Sequence, residues 1–96
     1  MTPTEVLEEL ANRVEESWGQ GFDGPCLLRH LLALTVERVY YDEGRVRNAI
    51  RREIFGPDYA PHAYQQNNSI AWWNDEPGRT KEEVAATVRN SKRWLG

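Results

Sequence analysis

The residues best suited to chemistry are few. Cys26 and His30 lie four apart in a run that reads as helix, so a thiol and an imidazole share one row with Ala33 and Glu37. Such a pair could ligate zinc, or act as nucleophile and base, with His62 or an acid elsewhere completing the set. The whole chain offers one Cys and two His. A zinc site takes about three side chains if catalytic and four if structural, so the supply is short. The reading preferred here makes Cys26 a small buried hydrophobe and His30 a half-exposed helix residue near Glu37 or another polar group. No metal or cofactor is expected, and a thiol or metal-dependent enzyme ranks third among the functions considered, with weight against any catalysis.

A second candidate is basic. Arg45, Arg47, Arg51 and Arg52 crowd one short stretch, and a helix carrying four guanidinium groups could lie against phosphates. On a helical wheel they flank a Val46, Ile50, Ile54 stripe on both sides instead of sharing one outward face. That is how Arg stems shield a core edge while their heads meet water or acids, such as those of the first helix. Nucleic-acid contact is therefore the alternative function and edge packing the first reading.

A third is aromatic. Four Trp and four Tyr are many for 96 residues, and such side chains mark interaction hot spots as well as small cores. Trp73, three residues after Ile70, is expected in the core; Trp72 and Trp94 are the candidates for a surface. Asn74 and Asp75 follow directly and could contact a ligand, although short polar side chains before a turn more often bond nearby backbone.

Positioning these residues takes helices. Thr2, Pro3 and Glu5 form a helix start, followed by a stripe of Val6, Leu7, Leu10, Ala11, Val14 and Trp18, which Gly19 and Gly21 stop. Its other face is acidic, with Glu5, Glu8, Glu9, Glu15 and Glu16 against Arg13; a solvated face is the first reading, docking onto a basic partner the second. Asp23-Gly24-Pro25 opens a second helix from Cys26 to Tyr41, with Pro25 at its first position. Its apolar residues cover about half the circumference, which predicts the central helix. Asp42 can cap a third helix, Glu43 to Phe55, ended by Gly56-Pro57. From Asp58 to Asn68 an irregular segment held by Tyr59 and Tyr64 is expected. A short helix from Ser69 to Asp75, a type II turn at Glu76-Pro77-Gly78-Arg79, and a last helix capped by Thr80 and Glu83 complete the chain. The last buries Val84, Ala85, Val88 and Leu95. The expected fold is all-α, a single domain over residues 1–96 built as a bundle of about four longer helices plus one short one.

The stretch Ile70-Ala71-Trp72-Trp73-Asn74-Asp75-Glu76-Pro77-Gly78-Arg79-Thr80-Lys81-Glu82-Glu83-Val84 resembles family 6197 of the domains of unknown function, small proteins of actinobacteria and their phages. That family typically carries W-N-D, a P-G-R-T turn and an E-V helix start. It also tends to carry a W-x-Q-G element followed by Cys-Leu, which Trp18-Gly19-Gln20-Gly21 and Cys26-Leu27 match. Leu28-Arg29-His30 departs from the Gly-Ala that often follows there. The resemblance implies a source and a compartment, and no activity.

Composition bounds the rest. The net charge of -3 gives no global pull toward nucleic acid or an anionic membrane. One cysteine cannot staple a secreted domain, and no apolar run approaches the roughly eighteen residues that span a bilayer. The expectation is a cytoplasmic protein with no membrane association. Its expected role is that of an accessory or regulatory protein that binds another protein or a second copy of itself.

Overall fold

The computed structural model describes residues 1–21, 24–37, 43–56 and 66–95. Among the described residues five α-helices run in the order α1 (Pro3–Glu16), α2 (Leu27–Val36), α3 (Glu43–Phe55), α4 (Gln66–Asn74) and α5 (Lys81–Asn90), with a final 3-10 turn at Ser91–Trp94. The fold is all-α, with no strand among the described residues. No helix of the described residues is long and apolar enough to cross a membrane.

The start of α1 follows from its capping box. Thr2 accepts from the Glu5 N–H at 3.2 Å and the Glu5 carboxylate accepts from the Thr2 N–H at 2.9 Å, so two otherwise orphaned donors are satisfied reciprocally. These bonds hold the Glu5 carboxyl below its ordinary pKa. One stripe of the helix, Val6, Leu7, Leu10, Ala11 and Val14, is fully buried, and α1 packs on α2, α3, α5 and the 3-10 turn. The central helix is therefore α1, where the width of the apolar arc had predicted α2. Leu27, Leu31 and Leu34 of α2 are buried, but Leu32 is 44% exposed and Val36 80% exposed. At about 100° per residue those two point away from the buried side.

Other boundaries shift for readable reasons. The first i to i+4 bond of α2 runs from the His30 N–H to the Cys26 carbonyl at 3.1 Å, so Cys26 caps the helix and Pro25 precedes it instead of occupying its first turn. The expected continuation to Tyr41 and the cap at Asp42 lie outside the described residues. So do Asp23, Tyr59, His62 and Tyr64. Helix α4 begins at Gln66, inside the expected irregular segment, because its first turn reads Gln66-Asn67-Asn68-Ser69 and offers no apolar residue to the pattern.

The third helix spans the expected residues, with Val46, Ala49 and Ile50 buried and Ile54 against the core. In the last helix Thr80 accepts from the Glu83 N–H at 3.2 Å, while the Glu83 carboxylate goes to Arg79 at 3.2 Å. After Asn90 the chain tightens into the 3-10 turn. Ser91, fully buried, donates to the Thr87 carbonyl at 2.8 Å, and Leu95 closes the core.

Candidate functional site

Asn74, the last residue of α4, is buried at 0% exposure. A buried amide must find partners for its oxygen and its two N–H groups. Its Oδ1 accepts from the Trp18 indole Nε1–H at 2.6 Å and from the Leu27 N–H at 3.0 Å. Its Nδ2 donates to the Gly19 carbonyl at 3.3 Å and to Asp75 Oδ1 at 3.0 Å. One side chain thus joins the segment after α1, the first turn of α2 and the end of α4. Leu27 is among the first amides of α2 and has no carbonyl of its own helix to reach, so Asn74 supplies a cap from another element.

The clamp extends outward. Gln20 Nε2 donates to the carbonyls of Asn74 at 3.0 Å and Glu76 at 2.7 Å, and the Gly21 N–H donates to Asp75 Oδ1 at 2.9 Å. Trp18-Gly19-Gln20-Gly21 and Trp73-Asn74-Asp75-Glu76, more than fifty residues apart in sequence, form one polar joint. Gly24 lets the loop fold back on itself, since a Cβ there would stand 2.6 Å from the Gln20 carbonyl oxygen and 2.7 Å from the Gly19 carbonyl carbon.

Arg79 secures the turn that follows. Its guanidinium carbon lies 4.0 Å from the centre of the Trp73 ring, and Nε donates to the Trp73 carbonyl at 3.0 Å. Nη2 reaches Glu76 at 2.9 Å. The Arg79 N–H to Glu76 carbonyl bond at 3.2 Å and the φ of +86° at Gly78 make Glu76 to Arg79 the type II turn that Pro77-Gly78 predicts.

The remaining predicted residues fall in several places. Trp72 stands 64% exposed on α4, whereas Trp73 is half-buried against the core. Trp94 also packs on the core, with its indole N–H donating to Glu53 at 2.9 Å. Of the four residues offered as an interaction surface, Trp72 and Asp75 are exposed, Trp94 is half-buried and Asn74 has no surface at all.

The four arginines of α3 do not form one face. Arg51 is 2% exposed with Nη1 toward Asn48, and Arg45 donates to the Leu95 carbonyl; Arg47 is half-buried and Arg52 exposed. The acids of α1 meet α5 and the 3-10 turn instead. Glu8 binds Arg89 at 3.1 Å and Lys92 at 3.0 Å, and Glu15 also pairs with Arg89. Lys92 and Arg89 hold the Glu8 carboxyl below its ordinary pKa.

His30 Nε2 lies 2.5 Å from the Ser17 carbonyl, the acceptor to which it must donate, so the ring ties α2 to the end of α1. The polar neighbour of His30 is thus the Ser17 carbonyl and not Glu37, which Arg13 holds in a bidentate pair at 2.6 and 2.9 Å. Arg13 lowers the Glu37 pKa, and Glu37 and Glu9 raise that of Arg13. Among the described residues no three His, Cys, Asp or Glu side chains converge where they could hold a metal ion. Cys26 is half-buried and lines a surface groove of about 380 Å³ with Gly21, Gly24, Arg29, Ala71 and Asp75.

The joint itself was not foreseen. Both motifs were visible, but nothing in their spacing says that Gln20 and Trp18 reach Asn74. The width of the apolar arc of α2 likewise gives no sign that Leu32 and Val36 within it stand exposed.

The model of the family of unknown function DUF6197 matches residues 1–92, and the chain belongs to that family. No curated protein and no solved structure matches it.

Proposed function

We propose that this member of the DUF6197 family is a non-enzymatic accessory or regulatory protein that binds another protein through the outward faces of α2 and α4. The observation that carries the reading is the exposure of Trp72 on α4 and of Leu32 and Val36 on α2, in a chain whose α1 stripe is fully buried. Large apolar side chains left in water on two packed helices suit an interface, and Trp is enriched among anchor residues. The family match supplies no activity to set against this.

Binding to nucleic acid through α3 has less to work with. Arg51 is buried, Arg45 is engaged by the Leu95 carbonyl and Arg47 is half-buried, so the four arginines present no common face to phosphates. The source and the cytoplasmic setting inferred from the family resemblance and the single cysteine belong to the same reading.

The test is capture of a binding protein from the host cell, followed by titration with that protein purified. Wild type should bind, and Trp72→Ala or Val36→Glu should weaken binding tenfold or more, on the order of a lost hot spot. Binding should survive a rise in salt that would dissociate phosphate contacts. Equal binding by both variants, or a nucleic acid as the captured species with a steep salt slope, would overturn the reading.

A further inference from the structure

We draw no further inference here: the strongest candidate, the groove of about 500 Å³ between α1 and α5 lined by Glu15, Lys81, Glu82, Ala85 and Arg89, has its guanidinium already spent on Glu8, Glu15 and Asn12, and nothing in the structure shows what covers it.

Discussion

Asn74 does with one side chain what would otherwise need three separate caps. Its oxygen satisfies the Trp18 indole and the Leu27 amide, and its nitrogen satisfies Gly19 and Asp75, all inside the protein. Replacing it with Asp keeps the acceptor and removes the donor, and sets a second carboxylate against Asp75 and the Gly19 carbonyl in a buried place. Asn74→Asp should therefore destabilise the fold by about 1–3 kcal/mol although it is nearly isosteric, read as a lower urea midpoint. Gln20, whose side chain sits at the rim, gives a weaker contrast: Gln20→Ala removes two bonds to carbonyls that water can reach and should cost about 1 kcal/mol. Equal effects at the two positions would mean that burial does not set the strength of the joint.

At the scale of elements, what holds α1, α2 and α4 together is a loop packed against a helix end. Gly24 permits that approach by lacking a Cβ. Gly24→Ala should push the loop off Gln20 and cost about 1–3 kcal/mol by overpacking, measured by thermal unfolding; an unchanged midpoint would show that the loop moves aside freely. Much of this scale was legible in the sequence. Thr2-Pro3-Glu5 and Thr80 mark true helix starts, Pro77-Gly78 marks the turn, and the span of α3 was readable from Val46, Ile50 and Ile54. These are local signals, decided by backbone donors within a few residues. What was not legible is tertiary: periodicity gives the apolar arc of α2 but not which part of it finds a neighbour, and Arg51 is drawn into the interior by packing that no wheel displays. The start of α4 was missed because its first turn is polar.

Across the whole molecule, the charge pattern joins the ends of the chain. Glu8 and Glu15 of α1 hold Arg89 of α5, Glu8 also holds Lys92 of the 3-10 turn, and Arg13 holds Glu37 beyond the end of α2. Glu8 and Glu37 have pKa values lowered from the ordinary 4.5, so their contribution is present above that value and is lost as pH falls through their folded values. The thermal midpoint should fall progressively below about pH 4.5, and Glu8→Gln should start lower and show a shallower acid slope. High salt should compress the difference, since these pairs are exposed and screened. A midpoint that rises on acidification, or a slope unchanged in Glu8→Gln, would remove the pairs from the account.

The division between a corner that fastens the fold and a tryptophan left free for a partner is the central claim, and adjacent stretches of α4 carry both halves of it. Urea unfolding of Asn74→Ala and Trp72→Ala beside wild type tests it most directly. Truncating Asn74 strands the Trp18 indole, the Leu27 amide and the Gly19 carbonyl without partners, and should cost about 3 kcal/mol or more. Truncating Trp72, 64% exposed, should leave stability within about 0.5 kcal/mol of wild type. A stable Asn74→Ala beside an unfolded Trp72→Ala would contradict the account, placing the indole in the framework and the amide at the service of something outside it.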